Sequence, residues 1–338
     1  MKILCNFSTY KRYDTTLALT IYAVAMQTRV PNHLIIFDDT PKEQERKFWE
    51  EATYVHLMRL VSQKGISWEI RPGWKKGAHH NHETANKMKG YDAVWMIDDD
   101  HCPEPNCLEE LEKELKDGVG AVGGLIIPPG TPKGPLPPNA GNKIDNLYIP
   151  NVQWFNWEGE PMEVEHIYSS FLYRSGIVHH DTRLSSVVFR GETMLTHSLY
   201  LLGYKLIITP KALMWHLPAG GGIHAGQDTS NWNHDQDIFN RWLMFKKMKK
   251  FLAVLYNGKG DQIVFKKDIL PKLREKYGKD LLVAASYPDV FEGEEGLISI
   301  QSAEQLVDIK DYSIYEYGDR SDWKDSLSKL YEKFYLNR

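Results

Sequence analysis

Short apolar runs alternate with amphipathic stretches along the first 130 or so residues. Ile3-Leu4-Cys5-Asn6-Phe7 reads as a buried strand, and Tyr13 to Gln27 carries Leu17, Ile21, Val24 and Ala25 at helical spacing. Leu34-Ile35-Ile36-Phe37 is a second strand ending in Asp38-Asp39. The charged, amphipathic stretch from Pro41 to Lys64 predicts a helix, Trp68 to Ile70 a short strand, and His82 to Lys89 another helix. Ala93-Val94-Trp95-Met96-Ile97 is again a strand, ending in Asp98-Asp99-Asp100. Leu108 to Leu115 predicts an amphipathic helix, and Val119 to Ile127 a glycine-containing strand. This alternation predicts an α/β domain with a mostly parallel sheet. In such sheets ligands bind at the carboxyl ends of the strands, where both acidic clusters fall.

The second half is less regular. Pro128 to Asn142 is dense in Pro and Gly and predicts a loop, either a surface excursion or a flap over a substrate. Trp154, Phe155 and Trp157 follow in a polar setting. A strand, a helix over Glu192 to Leu202 and a strand over Lys205 to Ile208 come next, then the glycine-rich stretch 218–222, read as a mobile loop. Asp237 to Leu255 predicts a helix bearing the basic run 246–250. Beyond residue 255 short strands and charged helices mix, with a terminal amphipathic helix from Asp319 to Tyr335.

With 338 residues, the chain can bury a large core. A net charge of -4 argues against non-specific nucleic-acid binding. The three cysteines, Cys5, Cys102 and Cys107, are too few for a disulfide framework and lack zinc-site spacing, which favours a reducing compartment. No signal peptide or membrane-spanning run is legible, so the expectation is a cytoplasmic protein with no integral membrane segment.

The strongest chemical signal is Met96-Ile97-Asp98-Asp99-Asp100, where alternate carboxylates suit a divalent cation or a ribose hydroxyl, although an exposed acidic turn would look the same. Its setting resembles the family 2 glycosyltransferases. Asp98 and Asp100 stand as that family's DxD motif, followed by Pro105, Leu108 and Leu111 in matching places. Thr9-Tyr10-Lys11-Arg12 matches the end of the family's first strand, and Asp38-Asp39 the acidic pair ending its second. Glu192, Leu195, Gly203-Tyr204-Lys205-Leu206, Pro210, Ala212 and His216 follow the order of its third block. The resemblance covers roughly residues 1 to 220.

It implies a GT-A fold over residues 1–255, with a donor half to about 127, an acceptor half from 128 to 255, and a C-terminal extension over 256–338. It implies a metal-dependent, inverting glycosyltransferase using Mn²⁺ or Mg²⁺ and a nucleotide-sugar donor, expected to be UDP-linked. Asp100 and His216 would hold the metal, and Asp98 the metal or ribose. Thr9, Arg12, Asp38, Asp39 and Asp99 would line the donor site. Glu192 would be the general base, since Leu195 stands three residues after it and Gly203 eleven after it, the family's register. Gly191 replaces the acid that usually precedes that base. His79, His80 and His82 stand where the family has Ala-Arg-Asn, leaving the phosphate contacts open between these histidines, Lys75 and Lys76. Tyr173-Arg174 is expected on the acceptor side. The acceptor is a saccharide, a lipid-linked saccharide or a hydroxymethylated base of viral DNA. A non-catalytic nucleotide-sugar or glycan-binding module is the rival outside enzymes, and a nucleotidyltransferase lacks its glycine-rich loop between Ser8 and Asp14.

Overall fold

The computed structural model describes residues 1–44, 46–144, 147, 149–217, 219, 222, 228–247, 251–255, 258–278, 281–298 and 313–317. The chain divides into two compact units that meet at Ile238/Phe239.

The first unit begins with β1 (Ile3–Thr9), α1 (Leu17–Ala25), β2 (His33–Asp38), α2 (Ala52–Gln63), β3 (Ser67–Pro72), α3 (Ala78–Asn86) and β4 (Ala93–Met96). It continues with β5 (His101–Pro103), α4 (Cys107–Glu114), β6 (Val119–Ile127), β7 (Met162–Val164), β8 (Phe171–Arg174), α5 (Gly191–Leu201) and β9 (Lys205–His216), and α6 (Thr229–Lys247) begins in it and runs across the division. One sheet runs in the order β3-β2-β1-β4-β8-β6-β9-β5, with β7 also on β9. The pairings leave β5, β7 and β8 antiparallel to the others, so the sheet is mixed and mostly parallel.

Strand alternation explains the layers. Ile3, Cys5 and Phe7 of β1, Leu34 and Ile36 of β2 and Trp95 of β4 enter one core with α1, α2 and α4. Their neighbours Leu4, Ile35, Phe37, Val94 and Met96 enter a second core with α3 and α5. Both faces of the sheet are covered, hence the continuous apolar runs. Gly124 makes the β6–β9 pairing possible: a Cβ there would lie 2.2 Å from the Ala212 carbonyl oxygen, and the register shifts at this point.

Several elements differ from the sequence reading. The stretch 41–64 is not one helix but short 3₁₀ turns at Lys42–Gln44 and Phe48–Glu50 ahead of α2. Phe48 is the cause, fully buried among Tyr13, Trp49 and Tyr54, which pins the chain where a regular helix would carry it away. α3 starts four residues before His82, behind Gly77 at φ +97. α6 starts eight residues before Asp237, and Phe251–Leu255 is a strand, β10, rather than the end of that helix.

The second unit holds β10, a helical segment of α7 (Lys259–Val264), a π turn over Phe265–Ile269 and α8 (Leu270–Tyr277), then β11 (Leu281–Ala285), β12 (Leu297–Ile298) and β13 (Ser313–Tyr317). Its sheet is wholly parallel, in the order β12-β11-β10-β13. The sequence places its change of character at 255; the division into compact units falls at 238, ahead of β10, an inner strand of this second sheet. The stretches 218, 220–221 and 248–250 and the expected terminal helix lie outside the described residues. No helix among the described residues is long and apolar enough to cross a membrane.

Candidate functional site

In the first unit the strand order reverses between β1 and β4, and a crevice opens at such a switch point beyond the carboxyl ends of the strands. β1 ends at Thr9 and β4 leads into the aspartate triplet, so parallel pairing of Asn6 with Met96 sets Thr9 beside Asp99. The Thr9 hydroxyl donates to Asp99 Oδ2 at 2.7 Å. Arg12 donates from one nitrogen to Asp99 Oδ1 at 3.0 Å and to Asp100 Oδ2 at a shorter distance. Burial raises the Asp99 carboxyl to about 7, with Arg12 and Thr9 working against the rise. Burial also acts to raise Asp100, but His216, His101 and Arg12 together hold it below the usual carboxylate range.

The chain then turns back. β5 pairs antiparallel with the end of β9, which sets His101 opposite His216, with their rings 5.0 Å apart. His216 Nε2 lies 3.4 Å from Asp100 Oδ2, and His101 Nε2 lies 3.8 Å from both Asp98 Oδ2 and Asp100 Oδ1. Asp100, His101 and His216 thus offer one oxygen and two nitrogens that could hold a metal ion. The fit is supported from outside the trio: the fully buried Ser170 hydroxyl lies 2.6 Å from His101 Nδ1, leaving Nε2 turned to the carboxylates. Burial lowers the pKa of His101, which keeps the ring neutral as a ligand must be, while the hydrogen bond to Asp100 raises that of His216.

Two cavities meet here. The smaller, about 120 Å³, is lined by Ser8, Thr9, Arg12 and His82 together with the three aspartates. The larger, about 600 Å³, runs from Asp98, Asp100 and His216 to Trp154, Tyr168, Arg190 and Trp232. Asp98, Asp100, Val187, Val188 and Glu192 line both. Glu192 stands in the first turn of α5 and keeps some exposure because it faces the cavities. Burial, and after it the charge of Asp98, push its carboxyl up to about 7. Non-glycine residues with left-handed backbone gather at this junction: Ser169 at φ +58, Val188 at +57 and Arg190 at +67. For the β-branched Val188 this conformation is strained, and strain of this kind concentrates at functional sites.

The far wall of the larger cavity is an aromatic shelf. Trp154, 56% exposed, stacks on Tyr168 with ring centroids 5.8 Å apart. The buried Gln153 fixes Tyr168 from below, accepting from its N–H at 2.8 Å and donating to its carbonyl at 3.2 Å. Arg190 reaches the Tyr168 hydroxyl and packs over the Phe189 ring.

Other expected residues lie elsewhere. The Asp38 carboxylate accepts from the Tyr13 hydroxyl, and that of Asp39 from the Gly77 N–H and the Asn81 amide; both are buried and line neither cavity. Of the three histidines His82 alone lines either of these two cavities, and Lys75 and Lys76 are exposed away from both. Tyr173-Arg174, expected on the acceptor side, lines neither cavity. β8 runs antiparallel to β4, so Arg174 pairs with Ala93 at the opposite end of the sheet and binds the carbonyls of Val119 and Lys116. The residues before β8, Tyr168 to Ser170, meet the site instead. His101 was legible only as a histidine beside the acidic triplet. Ser170, Arg190 and Trp232 carried no signal of their own.

No protein-family model and no curated protein matches this chain. Solved structures do. Over 82% of its length the chain is similar to a structure of GalNAc-T7 with UDP, GalNAc and Mn²⁺, at 12% identity and a TM-score of 0.55. Over 91% it is similar to S. aureus TarS 1-349 in complex with UDP, at 11% identity and a TM-score of 0.50. These likenesses establish the fold. It is the GT-A glycosyltransferase fold. The chain spans 78% of the TarS 1-349 chain but only 54% of the GalNAc-T7 chain, so the likeness leaves much of the latter unmatched.

Proposed function

We propose that this protein is a metal-dependent, inverting glycosyltransferase that moves a sugar from a UDP-linked donor to an acceptor hydroxyl. The observation that carries this reading is the meeting of the two cavities at Asp98, Asp100 and Glu192. The smaller cavity, at the strand switch point, takes the nucleotide; the larger takes the acceptor. Crystals of TarS 1-349 with UDP and of GalNAc-T7 with UDP and Mn²⁺ support the choice of donor and metal.

Asp100, His101 and His216 would hold the ion, with Asp98 beside them, and two imidazoles with a carboxylate suit Mn²⁺ better than Mg²⁺. When bound, such an ion neutralises the departing diphosphate. The chain's own residues do the rest. Thr9 and Arg12 fix Asp99 and Asp100 at the nucleotide side. Glu192, half ionised near neutrality, takes the proton of the acceptor hydroxyl as its oxygen attacks the anomeric carbon from the face opposite the leaving diphosphate. A single displacement inverts that centre. The shelf of Trp154 on Tyr168 suits the apolar face of a sugar ring, and carboxylates around the cavity disfavour a polyanionic acceptor, so the acceptor is a saccharide.

The deciding experiment measures UDP release from a panel of UDP-sugars, with and without Mn²⁺ and with saccharide acceptors. Mn²⁺-dependent release from at least one UDP-sugar is expected. Preferential use of a GDP- or dTDP-sugar, or a product of retained configuration, would overturn the donor or the mechanism respectively.

A further inference from the structure

The carboxylates after β4 have a cation supplied by the protein itself. Arg12 follows the end of β1 by three residues, and Lys11 before it turns the chain at φ +56. The guanidinium is thereby aimed at Asp99 and Asp100, which are only 7% and 8% exposed. Its other side abuts Gly222, where a Cβ would lie 2.3 Å from the second terminal nitrogen. Asp100 Oδ2, which receives Arg12, is also the oxygen facing His216 Nε2. Arg12 and the candidate metal ligands therefore share one atom. Arg12 Nε is buried with no hydrogen-bond partner among the described residues, so one donor remains unspent in this pose.

An arginine cannot give up its proton here, so near neutral pH a competing cation at Asp100 or a competing anion at Arg12 is what parts the pair. A guanidinium fork matches phosphate oxygens well, and Arg12 lines the smaller cavity. We propose that Arg12 is a built-in competitor for the divalent cation: it holds the shared Asp100 oxygen, keeps affinity for free metal low, and passes to the diphosphate when nucleotide and metal enter together. The inference rests on the proposed metal-dependent use of a nucleotide sugar. It makes metal and nucleotide binding mutually reinforcing, by the same factor in either order.

The test titrates the full-length protein with Mn²⁺ alone and with Mn²⁺ at saturating UDP, following free Mn²⁺ by electron paramagnetic resonance. Wild type, Arg12→Gln and Arg12→Lys are compared after circular dichroism confirms that each is folded. Wild type should bind Mn²⁺ weakly alone and at least about tenfold more tightly with UDP. Arg12→Gln should bind Mn²⁺ alone about 5- to 30-fold more tightly than wild type and lose most of the gain from UDP. Arg12→Lys, which keeps the charge, should stay near wild type without UDP. Equal or weaker Mn²⁺ binding by Arg12→Gln, or an undiminished UDP effect in it, overturns the inference alone. Should Arg12→Gln not fold, tight Mn²⁺ binding by wild type without UDP overturns it equally. A wild type that binds no Mn²⁺ under either condition overturns the metal-dependent reading as well.

Discussion

A general base works best when its pKa lies near the working pH, and Glu192 is brought there by burial and by the neighbouring Asp98. Glu192→Gln is predicted to lower kcat by about 10²- to 10⁴-fold while leaving UDP and Mn²⁺ binding within a few-fold. Wild-type kcat should fall on the acid side of about pH 7, as the carboxyl takes up its proton. The same shift has a stability cost of definite sign. The folded chain holds the Glu192 proton more tightly than the unfolded chain, whose value is ordinary, so the cost is absent below about pH 4.5 and complete above about 7. Glu192→Gln should therefore be more stable than wild type at pH 8, by on the order of 1–3 kcal/mol after allowance for its partial exposure, and indistinguishable at pH 4. Urea titrations at the two pH values check this. At the ligand trio, His101→Ala should abolish Mn²⁺ binding measured by calorimetry, and Ser170→Ala should weaken it about 10- to 100-fold by releasing the ring. The residues around the junction were unevenly legible. Asp98, Asp100, Glu192 and His216 stand in blocks whose local order is visible in the sequence. His101 becomes a partner of His216 only through antiparallel pairing across more than a hundred residues, which no local pattern encodes.

Among the elements, strands were easier to read than helix limits, because a fully covered strand is a continuous apolar run, whereas a helix start depends on what the preceding loop touches. α6 illustrates this. Its first turns carry few apolar residues, yet Asp235 there is fully buried and binds the loop ahead of α5. Its carboxylate accepts from Ser185 N–H at 2.6 Å, Phe189 N–H at 2.8 Å and the Ser185 hydroxyl at 3.0 Å. Trp232, one turn earlier, sets its ring edge-on to Phe189 at 5.0 Å. α6 thus clamps the strained segment of Val188, which lines both cavities, and Arg190, which lines the larger. Asp235→Ala leaves two backbone N–H groups without an acceptor and should cost about 2–4 kcal/mol in urea unfolding. Because α5 starts from this segment, kcat should fall more than UDP affinity. Phe48 shows the opposite failure of sequence reading: the charged periodicity of 41–64 fits a helix, but one buried ring among three aromatics outweighs it.

For the molecule as a whole, the sequence conveyed the α/β class, but not that a second parallel sheet gathers β10 into the C-terminal part. Both proposed ligand cavities are lined by residues of the first unit alone. A chain ending at residue 247, so that α6 stays whole, should bind UDP with Mn²⁺ within about threefold of the full-length protein by calorimetry, since it keeps every lining residue. The nine-stranded sheet also has to end somewhere. At one side β9 carries β5 and β7 along its outer edge, and at the other β3 has no further strand beside it among the described residues. β3 bears Glu69 and Arg71 on one face, joined by two hydrogen bonds of 3.0 and 2.9 Å, and closes with Pro72, which has no N–H to offer. An open strand of Val and Ile there would be a template for another molecule's backbone, and a fixed charge pair makes such stacking unfavourable. Concentrated protein should for this reason stay dispersed, and exchanging Glu69 and Arg71 for valine should let β3 recruit its own kind, seen as concentration-dependent self-association in light scattering.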